Sequence, residues 1–207
     1  MRGHDPRRTR RPRAILLDLL MAVMDSPAVW DAVVPGRGMA WRDAVTRRMI
    51  DSRDYVPFGT LVEDAARELG LPEAAPRRLV EAWPAMAPRA DVAAVARLRV
   101  PYAFVTNTSR DLAEIAARRS GLRPSFTLSA EDAGCYKPDP RIYRAACDRL
   151  GRDPADVLFV AGAPYDAAGA MEAGLAATWI RRRPDQEAPP GIGVIDTLDG
   201  IRERDQP

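Results

Sequence analysis

The chain has 207 residues, of which 46% are apolar and 29% charged, with a formal net charge of +2. That is the composition of an ordinary globular protein with room for one substantial core and a modest insertion, short of two full-size domains. No nucleic-acid partner and no membrane partner is expected: the net charge is small and no apolar run approaches the roughly 20 residues of a bilayer span.

In chain order, Met1 to Arg13 hold six arginines and no apolar periodicity. Residues 1–12 are therefore expected to be a disordered basic tail. Ala14 to Leu17 follow as an apolar run with strand character, and Asp18, inside the run to Met24, argues against a secretory leader. The next eighty or so residues do not read as strand. Ala44 to Ile50 and Leu61 to Leu69 read as helices, the latter with Leu61, Ala65 and Leu69 on one face, and Pro72, Pro76, Pro84 and Pro88 then break the chain. Further strands are expected at Tyr102 to Val105, Val157 to Val160 and Ala177 to Ile180. Between and after them, helical spacing recurs in Leu112, Ile115 and Ala116, in Ile142, Ala145, Ala146 and Leu150, and in Ala167, Ala170 and Met171. Each of these patterns stops at a glycine, Gly121, Gly151 or Gly174. Pro184 to Pro190 and Asp205 to Pro207 read as loop or tail.

Strands alternating with helices imply an α/β, Rossmann-like core with a parallel sheet, whose ligands bind beyond the carboxyl ends of the strands. The expected division is a core of residues 13–25 and 93–200, a small helical cap of residues 26–92 inserted after the first strand, and a C-terminal tail of residues 201–207.

Of 31 basic residues, Lys137 alone is a lysine. Arginine is a permanently charged planar fork, whereas lysine is a compact point charge on a flexible stem that can be packed against a buried carboxylate. Lys137 is therefore the first candidate for chemistry. The strand ends supply its company. The first ends in Asp18, the second in Thr106 and Asn107, and the strand near residue 160 leads to Tyr165 and Asp166. In a parallel sheet these ends converge, so two carboxylates, one ammonium and a hydroxyl-amide pair would share a cleft. The two cysteines, Cys135 and Cys147, show no metal-ligand spacing, and the only histidine, His4, lies in the tail. No metal site and no histidine-based triad is expected, and a reducing cytoplasmic location fits best.

The segments Ile15-Leu-Leu-Asp18-Leu, Val105-Thr106-Asn107, Tyr136-Lys137-Pro138-Asp139-Pro140 through Tyr143, and Leu158-Phe159-Val160 through Ala170 resemble, in order, the haloacid dehalogenase superfamily. Pro35-Gly36-Arg37-Gly38 and Tyr55-Val56-Pro57-Phe58 resemble cap segments of its 2-haloacid dehalogenase branch. The resemblance implies a cofactor-independent hydrolase acting on a small molecule. Asp18 would attack a carbon centre and form an aspartyl ester, Lys137 would keep Asp18 ionised, and Asp166 would orient Lys137 or help activate water. Thr106 and Asn107 would hold the substrate carboxylate or leaving group, and Tyr143, Phe58, Leu20 and Tyr165 would line the pocket. Arg37 and Arg42 are the candidates for the cap arginine that receives the halide, although an ungapped placement puts Met39 there. A homodimer is possible by analogy.

The chain also departs from the pattern. Leu20 stands where phosphatase branches carry a second Asp, and Gly162 where they place a magnesium-binding Asp, so a phosphatase is disfavoured. Leu20, Met21 and Ala22 replace the aromatic, Gly and Thr of the dehalogenase branch, and Ala161 and Ala163 replace its Ser and Asn. Ester formation would then survive better than ester hydrolysis. Two alternatives stay open: a repurposed enzyme using Asp18 and Lys137 for acid-base, elimination or cyclising chemistry, and a non-catalytic binding protein that keeps the fold.

Overall fold

A computed structural model describes residues 11–183, 186–187 and 190–201. Apart from residues 11, 12 and 201, the two expected tails lie outside the described residues, as do His4 and part of the proline-rich loop after residue 183. The framework is one parallel sheet in the order β3-β2-β1-β4-β5-β6, with β1 at Ala14–Asp18, β2 at Tyr102–Thr106, β3 at Thr127–Ser129, β4 at Val157–Ala161, β5 at Ala176–Ile180 and β6 at Gly193–Ile195.

The continuous apolar run of β1 suits a strand buried on both faces. Ile15 and Leu17 pack to one side with Phe104 and Val160, while Ala14 and Leu16 pack to the other with Ala103, Val105 and Phe159. On the first side the sheet is covered by α5 (Arg110–Arg119), through Leu112 and Ala116. The second side is covered by α7 (Pro140–Leu150) and α8 (Pro164–Glu172), through Ile142, Tyr143, Ala146, Ala167 and Ala170. The short α6 (Ala130–Ala133) follows β3. Because Asp18 is in register with Val105, and Leu17 with Val160, the carboxyl ends of β1, β2 and β4 stop level with one another.

After β1 the chain makes a π-helical turn, Leu19–Val23, and then the helices α1 (Ser26–Val33), α2 (Gly38–Asp51), α3 (Phe58–Glu68) and α4 (Ala75–Ala82), ending in a 3-10 turn, Trp83–Ala85. These helices pack on one another through buried tryptophans. Trp30 meets Trp41 edge-on at 4.9 Å between centroids, and the Trp41 indole N–H donates to Val62 O at 3.0 Å. Where the cap leaves and rejoins the core, the two crossing segments are zipped together. The Asp25 N–H donates to Ala87 O and the Arg89 N–H to Val23 O, each at 2.9 Å, and Met24 bridges to Pro88.

The four expected strands and the parallel architecture match the sheet. β3 and β6 are three-residue edge strands, too short to show a periodicity. Helices α1 and α4 also escape the sequence reading, and α2 and α3 begin several residues earlier than expected. Pro76 does not break the chain as expected but opens α4, because a proline in the first helical turn loses no hydrogen bond.

Candidate active site

Asp18 ends β1 and caps the π turn that follows. Its Oδ2 accepts the backbone N–H groups of Met21 at 2.9 Å and Ala22 at 3.2 Å, so the turn is wound around the carboxylate. Its Oδ1 accepts from the Lys137 ammonium at 2.7 Å. The same ammonium donates to Asp166 Oδ2 at 2.8 Å and to Val105 O at 3.2 Å, which uses all three of its protons. Lys137 is 1% exposed, Asp166 2% and Asp18 6%, so water contributes little to this arrangement.

The elements bring these groups together for identifiable reasons. Lys137 lies on the loop before α7, whose first turn is set by Pro140 and by the Asp139 carboxylate accepting from the Arg141 N–H at 2.8 Å. Asp166 lies in the first turn of α8. A side chain at Gly169 would come within 2.4 Å of Pro138 O, so this glycine lets α8 close onto the lysine loop. Asn107 clamps the same loop from β2: its amide donates to Lys137 O at 2.9 Å and accepts the Lys137 N–H at 2.8 Å. Tyr143, on α7, supports Asp166 from below, its hydroxyl donating to the Asp166 carboxylate and lying 2.9 Å from Asp166 O.

The electrostatics follow from one cation shared by two acids. Burial alone would favour neutral Lys137, but the carboxylates of Asp166 and Asp18 outweigh it and hold the ammonium above its ordinary value. Burial pushes the Asp166 carboxyl up to about 6, against the pull of Lys137 and with the Asp18 charge adding to the rise. Burial also pushes the Tyr165 phenol up to about 12, with Asp166 adding to the rise and Arg42 opposing it.

A cleft opens above Asp18, with Lys137, Asp166 and Asn107 in its floor. Of the residues expected in a pocket, Leu20, Arg42, Phe58 and Tyr165 line it. Arg37 does not; its guanidinium donates to Leu69 O at 2.6 Å on the exposed rim of the helical segment. Tyr143 lies beneath Asp166 rather than in the cleft wall. Thr106 is fully buried beside the cleft, with a hydroxyl that has no hydrogen-bond partner among the described residues, and Met39 is absent from the walls. The sequence reading missed Ser26, Trp30, Val45, Thr46, Met49 and Trp83, all of which reach the cleft from the cap side. Trp30 and Ser26 belong to the unread α1, and Trp83 to the proline-rich stretch. The spacing of Arg42, Val45, Thr46 and Met49 at i, i+3, i+4 and i+7 is the one signal that would have found a common helix face.

The donor set does not fit a divalent cation. A Cβ at Gly162 would fall 2.3 Å from Asp18 Oδ2, so no carboxylate can stand there, and the space between the two acids is taken by the ammonium. Among the described residues no group of three or more His, Cys, Asp or Glu side chains is placed to hold a metal.

Sequence and structure comparisons find the same arrangement of elements elsewhere. The haloacid dehalogenase-like hydrolase family matches residues 27–174. An (S)-2-haloacid dehalogenase of Pseudomonas putida is 32% identical over 210 residues, covering 90% of this chain and 88% of its own length. The (S)-2-haloacid dehalogenase 4A of Burkholderia cepacia is 30% identical over 207 residues, covering 88% and 87%. The solved structure of the L-2-haloacid dehalogenase of Xanthobacter autotrophicus, with chloropropionic acid covalently bound, superposes with a TM-score of 0.76 over 91% of this chain and 96% of that one; at 22% identity it speaks for the fold. With a parallel sheet whose level strand ends gather a Lys–Asp pair under a helical cap, and with relatives matched along most of its length, the chain belongs to the haloacid dehalogenase-like hydrolase family.

Proposed function

We propose that the protein acts on a small 2-haloacid, with Asp18 as the nucleophile. A carboxylate oxygen of Asp18 attacks the halogen-bearing carbon, a C–O bond forms, and the halide leaves with the electron pair of the broken C–X bond. Water then adds to Cγ of the aspartyl ester, the Cγ–O bond to the substrate carbon breaks, and the 2-hydroxy acid departs with one proton, while a second proton is released and Asp18 regains an oxygen. The names of the relatives support this substrate class. The observation that carries the reading is the Lys137 ammonium bonded between Asp18 and Asp166 while Met21 and Ala22 hold the other oxygen of Asp18. A buried carboxylate paired with an ammonium, aimed and largely free of water is a prepared nucleophile.

Arg42 is the cap cation in the cleft and would receive the departing halide. The double hydrogen bond of Asn107 to the Lys137 backbone favours a positioning role for that side chain over sole use as a substrate ligand. Phosphoryl transfer is disfavoured by Leu20, which gives the cleft no second acid two residues after Asp18, and by the closed space at Gly162. Single turnover of excess enzyme with 2-chloropropionate in ¹⁸O water tests the proposal. Halide release with ¹⁸O appearing in Asp18 is expected, and its absence, with no adduct at Asp18, would sink the hydrolytic reading.

Ala163 in the cleft wall favours a second reading, in which the covalent step is retained but water is poorly held. Ala161→Ser with Ala163→Asn should then speed loss of the adduct. If the pair of substitutions gives no gain in haloacid turnover, non-dehalogenating chemistry at the same carboxylate is favoured.

A further inference from the structure

Ser26 is the first residue of α1 and 1% exposed, and it lines the cleft among Met21, Trp30 and other apolar side chains. Its hydroxyl does not cap the helix. The N-cap is Asp25, without a side-chain capping bond, and among the described residues the one hydrogen bond of Ser26 Oγ is to the thioether of Met21 at 3.5 Å. A thioether is a weak acceptor, so Ser26 keeps nearly its full capacity to donate and accept in a place that water barely reaches. The other hydroxyl of the cap wall, Thr46, is already spent on Arg42 O at 3.0 Å. A buried hydroxyl without a good partner is costly, and that cost is relieved when a bound molecule supplies the missing oxygen.

We infer that Ser26 is a specificity-determining residue that hydrogen-bonds an oxygen carried by the substrate beyond its reacting carbon and its carboxylate. The preferred substrates are then 2-haloacids bearing a hydroxyl or similar oxygen on the neighbouring carbon. Unsubstituted alkyl haloacids leave Ser26 unsatisfied. The inference rests on the proposed attack by Asp18 for its kinetic form, and on the cleft alone for its binding form.

An isosteric pair, 2-chloro-3-hydroxypropionate and 2-chlorobutyrate, exchanges a hydroxyl for a methyl at the relevant carbon. The rate of adduct formation at Asp18 is measured by mass spectrometry for both acids, in the wild type, in Ser26→Ala and in Ser26→Cys, which keeps a side chain of similar size with a weak donor. In both variants the ratio of the two rates, hydroxylated over plain, should fall about tenfold, the size of one hydrogen bond. An unchanged ratio in correctly folded variants, checked by thermal melting, overturns the inference. Should the wild type form an adduct with neither acid, the proposed reaction fails, and calorimetric binding of 3-hydroxypropionate against butyrate decides. Tighter binding of the hydroxylated acid that is lost in both variants upholds the role of Ser26, whereas equal affinities, or no binding, overturn it.

Discussion

Lys137 makes three hydrogen bonds in three directions, two of them to acids that would otherwise be buried without a counter-charge. A planar guanidinium cannot satisfy that geometry in a site 1% exposed. Lys137→Arg is therefore expected to abolish adduct formation with 2-chloropropionate, measured by mass spectrometry of Asp18. Lys137→Met should cost about 3–5 kcal/mol of stability at neutral pH by stranding buried carboxylates, measured by urea unfolding. Asp166 sets a pH dependence of its own. Its folded-state value of about 6 lies above that of an unfolded aspartate, so between roughly 4 and 6 the folded protein keeps a proton that the unfolded chain releases. Its contribution to stability is thus lost as pH rises through that window, and is present below it. The stability of Asp166→Asn minus that of wild type should increase from pH 4 to pH 7 in parallel urea titrations; a flat difference would contradict the buried-acid assignment.

At the scale of elements, the two segments that join cap and core are held by an ionic cluster that also reaches the π turn after Asp18. The Arg182 guanidinium, following β5, donates to Asp91 Oδ2 at 2.7 Å and Oδ1 at 3.0 Å, and also to Ala22 O in the π turn. Asp91 accepts in addition from the Leu198 N–H at 2.8 Å, and Arg89 pairs with Asp25 at 3.2 Å across the two cap connections. The turn that presents two N–H groups to Asp18 is thus braced by the strand on the far side of β4. Arg182→Gln removes the fork but leaves a donor, and should cost about 1–3 kcal/mol, the range for stranding a partly buried hydrogen-bonded group. The amides of Met21 and Ala22 should then exchange with deuterium faster than in the wild type, and adduct formation should slow. Unchanged protection at those two amides would show that the π turn holds Asp18 unaided.

At the scale of the molecule, cap and sheet share one apolar core. The cluster containing Ile15 and Leu17 of β1 runs without a break through Trp41, Leu61 and Trp83 of the helical segment to Leu112 of α5. Trp83 ties the end of the cap to the core directly, its indole N–H donating to Leu112 O at 3.0 Å while its ring meets Phe58 edge-on. A shared core of this kind predicts a single cooperative unfolding transition. Three tryptophans, Trp30, Trp41 and Trp83, report on the cap side and Trp179 on the opposite layer of the sheet. Fluorescence of variants keeping only Trp41 or only Trp179 should therefore melt at the same temperature as the far-ultraviolet circular dichroism, and two separated midpoints would mark the cap as an independent unit.

The parallel α/β core is legible along the chain, because strands buried on both faces write continuous apolar runs and the helices between them write a 3.6-residue period closed by glycines. So is the meeting of Asp18, Lys137 and Asp166, because strand ends in a parallel sheet have only one place to go. The same order of segments pointed to the family that the comparisons then showed. Which side chains face Asp18 across the cleft follows from packing in three dimensions and not from local order. Arg37 and Arg42 are five residues apart and equally plausible as letters, yet the phase of α2 turns Arg42 into the cleft and leaves Arg37 on Leu69 O. Ser26, Trp30 and Trp83 were invisible because proline-bordered helices of eight residues or fewer carry too little periodicity to reveal a face. Tyr143 read as a pocket residue, and three-dimensional packing made it the support of Asp166, while Asn107 lines the cleft and also clamps the Lys137 backbone. Which groups attack can be written in local order along a chain; which groups the substrate meets depends on the rotation of helices packed far from it in sequence.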